Sequence, residues 1–335
     1  MLEQIVFHIG MGKTGTTSIQ MALQMNRQAL LDQGVNYLGM WFDMIDPGFA
    51  GLAGHEAFFT TSPETMTART RQFVRYMDAA SSQTGATRFI MSNEDFIGRF
   101  YSFVDVIDEL RKHCKVSILA YARDPREWLP SAYSQWSILH KSYTGGMRSF
   151  SDISRSLIRN YSALLLWKDR FPDEVEVRVF DPAIDVVADF AGVLGLELVH
   201  LPGRALERLT ESELLLRAFY NFRLNDSVLP QAFSQAFRDI NFSSDLGIAQ
   251  IAAAAFDHSS VDEIVGSHAA LFDEIRNRIG IDLLAAPPVA RQPVDVEGLR
   301  QRALDQALLI LMHQADRITQ LEQAVAQLRS EWNRR

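Results

Sequence analysis

The sequence predicts a three-layer α/β fold: a mainly parallel central sheet with a P-loop-like phosphate-binding loop, a helical second half and a C-terminal amphipathic helix. Three observations carry this expectation. Ile5 to Ile9 is an unbroken apolar run that ends in Gly-Met-Gly-Lys-Thr-Gly-Thr-Thr and gives way to helical spacing at Ile19, Leu23, Ala29 and Leu30, the order strand, glycine loop, helix. Comparable runs recur from Arg88 to Met91, Val116 to Tyr121 and Val175 to Phe180. Helix-like segments, such as Val104 to Lys112 and Tyr161 to Phe171, part them. Such alternation favours parallel strands covered by helices on both faces, with a ligand crevice at the carboxyl ends of the strands.

The remaining elements follow in chain order. From Leu38 to Pro63 the chain is rich in Gly, Met, Trp and Phe without a period, and it holds Gly54-His55-Glu56; it reads as a mobile loop or lid. From Thr210 to Gly280 the apolar spacing is helical, so residues 200–285 are expected to form a helical substrate-side portion of a domain spanning 1–285. Pro287, Pro288 and Pro293 stop any helix and mark 286–298 as a linker. Beyond it, in 299–335, Leu304, Ala307, Leu311, Gln314, Ile318, Leu321, Val325, Leu328 and Trp332 follow alternating steps of three and four. All but Gln314 are apolar, which is a coiled-coil seam of about four heptads. The pattern suits either a homodimer through this helix or a terminal helix folded back on its own domain.

Composition limits the partners. The 335 residues are 47% hydrophobic and 22% charged, ordinary globular values. A net charge of −8 gives no global attraction to nucleic acid or anionic lipid, so an anionic ligand must be held by a local site. The single cysteine, Cys114, forms no intrachain disulfide and fits a reducing compartment. The N-terminus lacks a cationic signal region, and no apolar run approaches the roughly 18 residues of a membrane span. A cytoplasmic location without a membrane span is the expectation.

The glycine loop carries the chemistry. A glycine-rich turn that opens a helix presents backbone N–H groups and the positive helix end to an anion, and Gly12, Thr14, Gly15, Thr16, Thr17 and Ser18 stand where that cradle would be, with Lys13 adding a full charge. The Walker A pattern fails, because Phe7 occupies its first glycine and shifting the frame to Gly10 and Gly15 puts Thr16 in place of the lysine. The string Lys13-Thr14-Gly15-Thr16-Thr17 instead resembles the 5′-phosphosulfate-binding loop of sulfotransferases that use 3′-phosphoadenosine-5′-phosphosulfate (PAPS). Arg123-Asp124-Pro125, with Ser131 further on, resembles that family's 3′-phosphate-binding segment. A planar guanidinium at a strand end is suited to a phosphate in its own right. The segment from Val187 to Leu196 resembles the family's helix after the 175–180 strand.

The resemblance implies transfer of a sulfuryl group from PAPS to a hydroxyl or amine acceptor, in which Lys13 and the loop amides stabilise the charge on the departing bisphosphate. It implies no metal. A base must take the acceptor's proton. Glu94, in Ser-Asn-Glu-Asp at the end of the Arg88 to Met91 run, is the first candidate, although a helix-start acid is the other reading of the same residue. His55 is the reserve base, and His8 reads as a core histidine. A carbohydrate, lipid, peptide or small-molecule acceptor fits equally well. A P-loop kinase of a small metabolite and a nucleotide-binding scaffold are the competing functions.

Overall fold

Five parallel strands form one sheet in the order β2-β3-β1-β4-β5 in the computed structural model, which describes residues 2–199, 211–222, 224–229, 248–286 and 295–332. They are β1 (Gln4–His8), β2 (Val35–Gly39), β3 (Arg88–Ser92), β4 (Lys115–Ala122) and β5 (Val175–Val179). β1 lies centrally, with His8 level with Ser92 on β3 and Leu119 on β4. The chain moves to one side of β1 for β2 and β3 and to the other for β4 and β5, so the sheet switches direction at the carboxyl end of β1, where such folds bind ligands.

Alternation along β1 places its neighbours on opposite faces. Val6 packs with Ile19 and Leu23 of α1 (Thr16–Met25) and Phe190 of α9 (Val186–Leu194). Phe7 points the other way, with its ring 5.1 Å from that of Phe103 on α5 (Phe100–Leu110) and 6.1 Å from that of Phe96. Helices therefore cover both faces, as expected. Between β1 and β5 the chain also forms α2 (Arg27–Asp32), α3 (Gly51–Phe59), α4 (Pro63–Thr84), α6 (Pro125–Tyr133), α7 (Phe150–Leu157) and α8 (Ser162–Arg170).

Two segments differ from expectation. β2 is a fifth strand, too short and too interrupted by Asn36 and the final glycine to show as an apolar run. It is an edge strand paired only to β3, with a register irregularity between Tyr37 and Gly39, and its buried residues Val35, Tyr37 and Leu38 are too few to form a recognisable run. The expected lid is also largely packed structure. Phe58 and Phe59 of α3 are buried with Phe42, Phe73, Phe96 and Phe103, and Phe42 stacks on Phe58 at 4.0 Å. Each buried phenyl ring contributes about 1.5–3 kcal/mol, which makes this segment part of the core.

The chain forms two compact units, and neither is continuous in sequence. The first spans 1–132, 154–207 and 261–289 and holds the sheet together with α12 (Val261–Gly266) and α13 (Ala269–Ile279). The second spans 133–153, 208–260 and 290–335 and contains α10 (Glu211–Phe222), α11 (Ile248–Phe256) and α14 (Val296–Trp332). Most of the expected 286–298 linker lies outside the described residues; α14 begins within its last residues, at Val296, where the Asp295 side chain accepts from the Gly298 N–H at 2.9 Å. Among the described residues, no helix is long and apolar enough to cross a membrane.

Candidate functional site

The loop after β1 stays tied to the sheet: the Ile9 N–H donates to Leu119 O at 2.9 Å and the Met11 N–H to Tyr121 O at 3.3 Å. It then turns sharply, with Lys13 at φ +70° and Gly15 at φ +82°. A Cβ at Gly15 would stand 2.6 Å from Val186 Cγ1, so only glycine fits both the backbone and the space. Lys13 has no such exemption, and its left-handed backbone costs about 1–2 kcal/mol. Neighbouring donors hold this shape. Thr14 Oγ1 donates to Met11 O, and Trp128 Nε1 on α6 donates to Gly12 O at 2.7 Å. With those carbonyls engaged, the turn can offer its N–H groups and the α1 N-terminus to an anion.

Behind the loop, polar side chains crowd Gly10. A Cβ at Gly10 would lie 3.0 Å from His8 Nε2, 3.3 Å from Thr16 Oγ1 and 3.4 Å from Thr14 Oγ1. His8 Nε2 and Thr16 Oγ1 are buried and without a hydrogen-bond partner among the described residues. His8 Nδ1 is 2.8 Å from Ser92 Oγ, and the ring meets Tyr121 and Phe190 edge-on. Burial pushes its pKa from 6.5 down to about 3, so the ring is neutral. The unfolded chain therefore binds a proton below pH 6.5 that the folded chain refuses, and the stability present above 6.5 is lost as pH falls toward 3. This loss is expected to approach about 1.4 kcal/mol per pH unit below the unfolded value. Urea unfolding at several pH values checks it: His8→Asn should flatten the slope, whereas a variant as steep as the native chain would remove His8 as its source.

Arg123 follows the last residue of β4, the strand beside β1, and is buried. Its guanidinium lies 5.5 Å from the centre of the Phe180 ring and 3.5 Å from Glu127 Oε2. The two acids that might have occupied it are engaged elsewhere: Asp124 with Arg126, and Asp95 with His55 and Arg99. Tyr161 anchors the turn by donating to Arg123 O at 2.6 Å. Ser131 is half-buried near the end of α6.

Glu94 opens the short 3-10 turn Glu94–Arg99 after β3 and is half-buried. Gln20 of α1 holds it, since its amide nitrogen is 3.0 Å from Ser92 O and 3.3 Å from Glu94 Oε2. The helix opened by the loop thus carries the residue that positions the candidate base. His55 stands differently. It is 2% exposed, with Nε2 3.0 Å from Asp95 Oδ2 and with Trp41, Phe59 and Phe96 around the ring. His55, the reserve base of the sequence reading, thus lies in α3 and is buried among aromatic rings, not in an open loop.

A cavity of about 540 Å³ opens beside Glu94, lined among others by Thr17, Gln20, Met21, Arg27, Tyr37 and Trp41. Met25, another of its walls, is exposed. Burial pushes the Tyr37 hydroxyl up to about 12 despite the opposing Arg27 guanidinium, and the nearby Glu94 charge adds to the rise. Sequence reading missed the part of this wall formed by Tyr37, Leu38 and Gly39, because they belong to β2. It missed Gln20 and Trp128 as well; their partners lie far along the chain, and neither residue belongs to a motif.

Comparisons with known proteins add little. No protein-family model and no curated protein matches the chain. A solved structure, the sulfotransferase domain from the Synechococcus PCC 7002 olefin synthase, is similar at 13% identity and a TM-score of 0.36, over 80% of this chain and 95% of that one.

Proposed function

We propose that the protein is a PAPS-dependent sulfotransferase acting on a hydroxyl or amine acceptor. The observation that carries this reading is the placement of the Lys13–Thr17 loop and Arg123 after the carboxyl ends of adjacent parallel strands, β1 and β4. The residues suit the donor. The Thr16 hydroxyl, which has no hydrogen-bond partner among the described residues, and the left-handed turn at Lys13 and Gly15 form a cradle for the phosphosulfate, while Arg123 offers a guanidinium for the 3′-phosphate.

PAPS supplies the sulfuryl group. Lys13 and the loop N–H groups stabilise the charge that builds on the leaving oxygen, from positions already fixed by Trp128 and Thr14. Glu94, oriented by Gln20, accepts the proton from the acceptor. The cavity beside it is walled by thioethers and aromatic rings and suits an acceptor with an apolar body, whether lipid, small molecule, peptide or a carbohydrate with an apolar group.

Adenosine 3′,5′-bisphosphate is expected to stabilise the protein by about 2.7 kcal/mol at a hundredfold excess over Kd, a shift of several degrees in Tm. Arg123→Ala should lose most of that shift. Stabilisation by magnesium-ATP without any by the bisphosphate would sink the proposal in favour of a kinase. Bisphosphate binding without transfer to any acceptor class would favour a scaffold.

A further inference from the structure

Among the described side chains of α14, the buried ones lie at its start. Leu299 and Ala303 are buried, and the helix lies against α10 and α11 of the same unit. Past this point Leu311, Ile318, Leu321, Val325 and Leu328 are each 47–64% exposed. From Leu311 onward these are all of the exposed large apolar residues among those described, and each falls on one seam of steps three and four. From Leu311 onward that exposed stripe follows a heptad seam, the geometry of an unpaired coiled coil, while Leu308 and Leu309, exposed as well, stand off the seam one turn earlier.

The residues on the seam specify the occupant. Counting in heptads places Leu311, Ile318 and Val325 at position a and Gln314, Leu321 and Leu328 at position d. In the last two heptads Ile318 and Val325 at a with Leu321 and Leu328 at d form the β-branched and leucine pairing that favours two parallel strands, and the lone polar Gln314 fixes register. The flanking charges agree. Arg317 falls at position g and Glu322 at the following e, and both are exposed. In a parallel pair the g residue of one helix meets the following e residue of the other, so Arg317 faces Glu322 of the second copy twice per dimer. We infer that residues 304–332 form a parallel two-stranded coiled coil with a second copy of this chain.

Sedimentation equilibrium of the full chain tests this. The expected mass is twice the 37.9 kDa of one chain. Ile318→Glu with Leu321→Glu should return it to the single-chain mass, since neither residue is buried in the subunit. Orientation is read from charge reversal. Arg317→Glu alone and Glu322→Arg alone should each weaken the dimer on the order of tenfold, from two lost pairs and two repulsions at about 0.2–1 kcal/mol each, and together they should restore it. A single-chain mass for the native protein, a trimer or tetramer, or a dimer that survives the two glutamates would overturn the inference. So would single reversals that leave the dimer at native strength, or a double reversal no stronger than either single one.

Discussion

Lys13→Ala is expected to reduce transfer by about 100- to 1,000-fold, the cost of removing one fixed donor from a developing anion. Its effect on stability should be small, because the side chain is exposed and alanine carries the same left-handed backbone penalty. Lys13→Gly separates the two properties. It removes the charge and also the strain at φ +70°, so it should match alanine in activity while gaining about 1 kcal/mol in stability. Measurements of kcat and of urea unfolding for the pair decide the matter. Turnover within a few-fold of native in either variant would show that the loop amides suffice without the ammonium group.

Glu94→Gln should lower kcat by about 100- to 10,000-fold, the usual contribution of a positioned proton acceptor. The amide carbonyl can still accept from Gln20, so the 3-10 turn should keep its shape and binding of the bisphosphate its strength. Loss in kcat with an unchanged donor Kd is therefore the expected signature. If kcat stays within twofold, the carboxylate is only the first acid of the turn, where it meets the partial positive charge of exposed N–H groups.

The features legible in the sequence were local ones. The Lys13 loop and Arg123 are short strings at the ends of apolar runs, and the α14 seam is a period that needs no tertiary knowledge. The inner strands β1, β3 and β4 read directly because both of their faces are buried. β2 did not, since an edge strand with a glycine and an asparagine presents no run. The segment from Leu38 to Pro63 misled for a related reason: an aromatic cluster built by α3, α4, α5 and Phe42 has no sequence period, so its residues look like a loop until their partners are known. Glu94 was found through its strand, but Gln20, which orients it, belongs to a helix whose polar residues read as solvent-facing.

The tight approach of Gly15 to Val186 and Phe180 has a temporal side. The walls that shape the glycine loop come from the β5–α9 junction, past the middle of the 335-residue chain. A nascent chain that has completed β1 and α1 holds the whole glycine motif but not its mould. That mould is complete only when α9 docks beside α1, so on the proposed function the ability to bind the donor should arise late, as a property of the finished sheet, and should not move to another protein with the loop alone.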